Sequence, residues 1–326
     1  MKIVVTGSLG NVSKPLVLLL IEQGHQVTVI SSSAARKAAI EQLGAKAAIG
    51  ALEDPIFLTK TFDGHDAAYC MLPPFNFFGD QTLDYQKQAL NISTNYVQAI
   101  QNAGIKRVVH LSSVGAERPT GAGVLVFHHI AESVFKQLPD DVAVTHLRPG
   151  SFDYNLYAFM DMVKGKGFLA GIIGKLLYLR HYGLKGLLKG YSGIILSNYG
   201  GTDKIAWVSP SDIASAIAEE MVAQQRGKVV RYVASEELTC QEIAAALGKA
   251  IGKPYLKWVL ISNRQMTDAF MQIGASAKIA KAFTEMNAAM HHGSLFEDYF
   301  KNRPAILGKT KMNDFAKAFA LKYNEQ

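Results

Sequence analysis

Met1-Lys2-Ile3-Val4-Val5-Thr6-Gly7-Ser8-Leu9-Gly10-Asn11-Val12-Ser13 opens the chain, and its reading decides the rest. Ile3–Val5 is a β-branched run that predicts a strand, Thr6–Ser13 predicts a tight glycine turn, and the apolar run Leu16–Ile21 predicts a helix. That order aims backbone N–H groups and a helix N-terminus at one point, which suits a pyrophosphate. Gly7-x-x-Gly10-x-x-Ser13 is a variant of the dinucleotide fingerprint. Gly7 takes the turn and Gly10 admits the phosphates, while Ser13 stands where close helix–strand packing usually takes a third glycine. An ordinary strand–helix turn has the same outline, so the weight rests on the pattern of the chain beyond it.

Past Ile21 the chain runs in a repeated strand–helix alternation. Strands are predicted at Gln26–Ile30, Lys46–Ile49, Asp66–Leu72, Arg107–Leu111 and Ala143–Leu147, the last broken by Arg148-Pro149-Gly150. Helices are predicted through Ala38–Leu43, Ile56–Phe62, Asp84–Ala103 and His128–Leu138. This is the rhythm of a parallel sheet, whose ligands lie at the carboxyl ends of the strands. Order returns at Lys204–Val208, with a helix Ile213–Val222 capped by Ser211 or Asp212, a strand Val229–Ala234, and a capping box of Thr239 and Glu242. The end of the chain, Asn263–Tyr323, reads as mainly helical with a loop at His291–Leu295. The expected fold is α/β, a Rossmann-type doubly wound parallel sheet. Residues 1–154 plus about 203–234 would form the nucleotide-binding core, and about 155–202 and 235–326 a smaller, mostly helical substrate lobe.

The 326 residues are 49% hydrophobic and 19% charged, as expected of an ordinary folded protein. The charge of +7 favours anionic ligands. It is scattered along the chain, without a helix-turn-helix or basic-aromatic module, so nucleic acid is not an expected partner. Cys70 and Cys240 form no paired motif, no metal-ligand spacing is present, and no signal-type leader precedes the first strand, so a reducing cytoplasm is the default. Residues 162–202 hold no Asp or Glu, while Lys164, Lys166, Lys175, Arg180, Lys185 and Lys189 punctuate Gly, Leu, Ile and Tyr. No apolar stretch there approaches the roughly 20 residues of a transmembrane helix. The segment reads as a glycine-hinged lid or dimer contact, a basic amphipathic surface element, or a packed excursion.

An NAD site would place Asp or Glu after the second strand to accept from the ribose hydroxyls, whereas here Ile30 leads into Ser31-Ser32-Ser33, with Arg36 and Lys37 nearby. Serines and cations accept a 2′-phosphate that a carboxylate would repel, so NADP(H) is favoured over NAD(H), although Arg36 and Lys37 would equally coat a helix.

With these residues in view, the chain resembles the NmrA-like branch of atypical short-chain dehydrogenases, and within it bacterial NAD(P)H:quinone oxidoreductases. The likeness rests on Val5-Thr6-Gly7-Ser8-Leu9-Gly10-Asn11, on Asn102–Ser113, on Leu147-Arg148-Pro149-Gly150, on Trp207–Ala214 and on Gly293–Asp298. It implies that Gly7, Leu9 and Gly10 hold the pyrophosphate, with Thr6 and Asn11 among the cofactor-binding residues, and that Met71, Leu72 and Pro73 lie by the adenosine-side ribose and phosphates. It also implies that Ser112 and Ser113 approach the nicotinamide. The family often carries Arg straight after the second strand, where this chain has Ser31. Classical relatives protonate a carbonyl with a Tyr-x-x-x-Lys pair; the resemblance aligns Val124 with that Tyr and His128 with that Lys, so carbonyl reduction by the dyad is not expected.

The remaining candidates are His128 as a cofactor contact or proton donor, its neighbour His129, and Tyr154 and Tyr157 past the sixth strand. Phe75, Phe77 and Phe78 would form an aromatic wall for a flat acceptor or simply pack, and His291-His292-Gly293 would close the substrate lobe. The expectation is an NAD(P)H-dependent reductase passing hydride to a small electrophile such as a quinone, with His128, Ser113 and Tyr154 as catalytic candidates. The alternative is a non-catalytic NADP(H) redox sensor. Oligomeric state stays open, a homodimer included.

Overall fold

A computed structural model describes residues 1–166, 172–188 and 193–325. Its strands are β1 Lys2–Val5, β2 Gln26–Ser31, β3 Lys46–Ile49, β4 Ala67–Met71, β5 Arg107–Leu111, β6 Ala143–Pro149, β7 Ser151–Phe152, β8 Ile195–Ser197, β9 Lys204–Val208, β10 Lys228–Val233, β11 Glu236–Thr239 and β12 Trp258–Leu260. Seven form one sheet in the order β10-β6-β5-β4-β1-β2-β3, every neighbouring pair parallel. The chain winds one way from β1 to β3 and the other way from β4 onward. The switch point therefore lies between β1 and β4, where Val5 pairs with Val29 and Tyr69.

The middles of the strands are mostly apolar because helices cover both faces. On one face, helices Ser13–Glu22 and Pro210–Val222 pack together over Ile3, Val5 and Val29. On the other, Pro55–Phe62, Tyr85–Ala103 and Val126–Phe135 cover Val4, Ala68 and Val108. A third cluster, around Trp207, Ile243, Phe296 and Phe319, gathers helices Cys240–Ala250, Ala277–His291 and Met312–Glu325. Two small sheets, β11-β9-β7 and β12-β8, run through this part.

Several expectations are corrected. Arg148 and Pro149 do not break β6; they continue it, paired with Tyr232 and Val233 of β10. Gly150 then lets the chain cross to the second sheet, since a side chain there would collide with the Ala206 carbonyl of β9. Helix Pro210–Val222 is capped by Ser209, which accepts from the Ser211 N–H, and neither Ser211 nor Asp212 is its cap. The Asp212 carboxylate instead accepts from Ser235 Oγ and from the N–H groups of Lys309 and Thr310. The Thr239–Glu242 capping box is present. Of the basic segment 162–202, residues 167–171 and 189–192 lie outside those described. The remainder includes helix Ile172–Leu188, interrupted at Gly183, and the buried strand β8.

One buried ionic network ties these layers together at the carboxyl end of the sheet. Arg148 on β6 binds Glu132 of helix Val126–Phe135 through both guanidinium edges, Nε to Oε1 at 2.9 Å and Nη2 to Oε2 at 2.7 Å. Its Nη1 reaches Tyr232 Oη at 3.0 Å, Glu117 at 3.2 Å and Asp298 at 3.3 Å. Ser112 donates to Glu132 at 2.6 Å. Burial alone would raise the Glu132 pKa, but the hydrogen bonds from Arg148 and Ser112, with the nearby cation, hold it at about 2. Behind the network, His110 and His146 meet through their Nδ1 atoms at 3.1 Å, each leaving Nε2 buried without a partner. Burial lowers both, His146 to about 4.

The network sets two expectations for stability. Glu132→Gln, which leaves Arg148 buried against a neutral amide, should cost about 3–5 kcal/mol in urea unfolding at neutral pH. Glu132 and both histidines have folded pKa values below their unfolded ones, so each contributes stability at high pH that is lost as pH falls. The histidines act first: stability should decline once pH drops below about 6.5, the unfolded histidine value, on the way to about 4. The glutamate contribution is lost next, from the usual carboxylate range down to about 2. His146→Asn should flatten the upper part of that decline, measured as unfolding free energy at neutral pH and near pH 5.

Candidate functional site

The turn after β1 is built to bring backbone close to a ligand. Gly7 has φ +87°, and a Cβ there would fall on Met71 Sδ and Ser13 Oγ, so only glycine fits. Gly10 donates to Gly7 O at 3.1 Å, which closes the turn. Ser13, standing for the third glycine, is buried and donates its hydroxyl to Thr6 O at 2.9 Å. The substitution is thus accommodated inward, and the outer surface of the turn stays free of side-chain bulk.

Helix Ser13–Glu22 begins at Val12 with no side-chain cap and no acidic residue in its first turn. Within that turn the Lys14 N–H bonds back to Gly10 O at 3.0 Å and Pro15 has none to give, so the donors that an anion would meet are those where the turn enters the helix, at Asn11, Val12 and Ser13, beside the exposed Gly10. This is the arrangement that accepts an anion. Around it the predicted cofactor residues gather. Thr6 is fully buried and accepts from the Met71 N–H at 3.0 Å, while Tyr96 donates to Met71 O at 2.8 Å, which fixes the end of β4 against the loop. Leu72 is buried and Pro73 half-buried just beyond. Leu9 packs partly against the core below.

At the end of β2, Ser31 is buried and engaged rather than presented: its Oγ accepts from Ser8 Oγ at 3.0 Å and from the Ser33 N–H at 3.2 Å. Ser8 itself holds φ +54°, uncommon for a residue with a side chain, and its N–H donates to Ile30 O at 3.0 Å. Ser31 therefore clamps the loop to β2. Ser32, Ser33 and Arg36 are exposed past it, with no carboxylate among residues 31–40. The cradle fits a dinucleotide carrying an extra phosphate at this end.

The catalytic candidates fall in different surroundings. Ser112 is buried with its hydroxyl committed to Glu132, while Ser113 is half-buried at the end of β5. His128 lies one turn before Glu132 on helix Val126–Phe135, with Nδ1 buried and unpartnered and its ring against Phe127. Burial pushes its pKa down to about 4 despite the pull of Glu132, so it is neutral at physiological pH. It cannot supply the cation that a lysine would supply there. Val124, four residues earlier, is buried core. His129 is tied to Ala116 O at 2.9 Å.

Tyr154, by contrast, comes to the loop. Burial raises its hydroxyl pKa, and a hydrogen bond with the Asn11 side chain opposes that rise. Next to it is a group that the sequence motifs do not single out. Asp153 is 7% exposed, and its Oδ1 accepts from the Tyr154 N–H at 2.7 Å. Burial, augmented by the charge of Asp212 and opposed by that hydrogen bond, raises its pKa to about 6. The signal available in the sequence is a carboxylate three residues past Pro-Gly at a strand end, inside an otherwise uncharged run. The aromatic residues mostly pack: Phe75 stands edge-on to Phe127 at 5.0 Å and Phe77 to Phe283 at 5.2 Å, joining the loop after β4 to helices Val126–Phe135 and Ala277–His291. His291 pairs with Asp203 at 2.7 Å, and His292 and Gly293 line a surface hollow of about 500 Å³ away from the glycine loop. Among the described residues no cluster of His, Cys, Asp and Glu could hold a metal ion, both cysteines are free and buried, and no helix is long and apolar enough to cross a membrane.

Comparison with known proteins agrees with this geometry. The structure superposes on an NADPH-dependent quinone oxidoreductase of Escherichia coli, crystallised with NADPH, with a TM-score of 0.71 at 19% identity, covering 97% of this chain and 99% of that one. A Citrobacter sp. triphenylmethane reductase complexed with NADP(H) gives 0.71 at 17%, covering 97% and 99%. A Stenotrophomonas maltophilia UDP-glucose-4-epimerase with bound NAD gives 0.65 at 16%, covering 100% and 98%. At these identities the likeness is one of fold. No curated protein sequence matches the chain. The model of the NmrA-like family matches residues 1–323, and the chain belongs to that family.

Proposed function

We propose that the protein is an NADPH-dependent reductase that passes hydride to a small electrophile, with a quinone as the first candidate. The observation that carries this reading is the turn at Gly7, whose Cβ position is filled by Met71 and Ser13 and which leads into an uncapped helix N-terminus. Two of the structurally similar proteins, the Escherichia coli quinone oxidoreductase and the Citrobacter triphenylmethane reductase, carry NADPH or NADP(H) and are named for acting on a quinone and on a triphenylmethane. NADP(H) over NAD(H) is supported by the carboxylate-free end of β2 with Arg36 beyond it.

The bound nicotinamide would supply the hydride; the chain supplies position and a proton. Gly7, Gly10 and Asn11 would hold the phosphates, and Tyr154, beside Asn11, would bound the adjoining space. Neutral His128 contributes a hydrogen-bonding ring without charge. Asp153 is the group suited to give a proton, because Oδ1 is occupied by the Tyr154 N–H and Oδ2 remains to carry it. A carboxyl with a pKa near 6 is still partly protonated close to neutral pH.

Two measurements test this. Arg36→Gln should weaken NADPH binding about tenfold and leave NADH unchanged; equal losses for both would remove the phosphate assignment. With a quinone acceptor, kcat/KM should fall as pH rises through about 6, where Asp153 loses its proton. Asp153→Asn should abolish that limb and lower the rate by about 10²-fold or more. Should NADPH bind tightly yet no quinone, enone or aldehyde oxidise it, the reductase reading fails and an NADP(H) sensor takes its place.

A further inference from the structure

The segment 171–190, GIIGKLLYLRHYGLKGLLKG, supplies none of the residues of the nucleotide site proposed above. Its sequence alternates Ile and Leu with Lys175, Arg180, Lys185 and Lys189, and the 41 positions 162–202 carry no acidic residue. Within the described helix Ile172–Leu188, the inward side is defined by Tyr178, which is 8% exposed and packs with Ile194 and Leu196, and by Tyr182 next to it. Lys257 anchors the same side, donating to His181 O at 2.8 Å with its ammonium over the Tyr182 ring. The outward side presents Leu179, Leu184 and Leu188, which are 38%, 70% and 87% exposed. Arg180 and Lys185 are exposed beside them. At Gly183 the backbone leaves the helix (φ +66°, ψ 179°), so the leucines stand on two short arms.

Exposed leucines normally occur singly, whereas here three lie within ten residues, interleaved with cations and without a carboxylate. A protein partner that covered the leucines alone would leave the cations unmatched. A surface that takes both is one with an apolar interior just below a layer of negative charge. We propose that this helix is a docking element for an anionic phospholipid bilayer, with Leu179, Leu184 and Leu188 entering the acyl boundary and Arg180 and Lys185 on the headgroup phosphates. This inference does not rest on the reductase reading.

The test uses the full chain, sedimented with vesicles of phosphatidylcholine alone or with about a third phosphatidylglycerol. Binding should appear with the anionic vesicles at low salt and fall steeply as salt is raised. Arg180→Gln with Lys185→Gln should weaken it about 25-fold, roughly fivefold for each cation. Leu184→Ser with Leu188→Ser should weaken it to a similar degree or more. All four side chains face solvent, and NADPH binding together with the thermal midpoint reports that both variants remain folded. Absence of binding to anionic vesicles by the folded protein would overturn the proposal, as would binding indifferent to both variants. It would also be overturned if the protein were a dimer in solution that the leucine variant converts to monomer, since the face would then be occupied by a second copy of the chain.

Discussion

The Arg148–Glu132 pair is the interaction on which the site end of the molecule depends. A guanidinium and a carboxylate taken out of water each carry a desolvation cost of several kcal/mol, repaid only when geometry and hydrogen bonding are nearly complete. Here they are: both edges of Arg148 are used, Glu132 takes a further bond from Ser112, and the remaining nitrogen reaches three acceptors. The residues so joined come from the segment that follows β5, from β6, β10, helix Val126–Phe135 and the distant Asp298. One charged side chain therefore sets the end of the central sheet against the C-terminal part of the chain. Tyr232 closes the circuit by donating to Asp298 as well as accepting from Arg148.

That network also decides what the neighbouring groups are able to do. Because Ser112 is spent on Glu132, only Ser113 remains at the end of β5 with an uncommitted hydroxyl near the surface. Packing behind the network keeps His110 and His146 out of water, His128 is half-buried on the neighbouring helix, and burial is the main cause that lowers the pKa of all three. The buried positive charge of Arg148 is already claimed by Glu132, Glu117, Asp298 and Tyr232.

The α/β alternation and the glycine turn are legible in the sequence because both depend on short-range features: β-branched runs, helical spacing, and glycines at a fixed separation. The capping box at Thr239 and Glu242 is legible for the same reason. The features that escape are long-range. Pro149 reads as a strand breaker, yet it sits at the very end of β6, where a missing N–H costs little, and Gly150 is needed for contact with β9, over 50 residues away. Strands β7, β8, β11 and β12, of two to four residues each, carry too little pattern to stand out and exist because their partners do. Asp212 has the composition of a helix cap, and a distant loop at Lys309 and Thr310 claims its carboxylate instead. Ser31 has the look of a phosphate ligand, whereas burial gives it to the loop's own backbone.

The contrast between His128 and Asp153 shows why charge state rather than residue type sorts the candidates. From the sequence, a histidine at the position of a lysine looks like the acid–base group, and an aspartate on an apolar run looks incidental. Burial acts on both in the direction that disfavours charge, and so with opposite consequences: it strips His128 of a proton and leaves Asp153 holding one to higher pH. The same physical effect that takes the proton from the histidine leaves one on the aspartate beside Tyr154. The turn from β6 into the second sheet thus sets a carboxyl that keeps its proton to about pH 6 beside Tyr154, and it is this group that the proposed reductase would draw on.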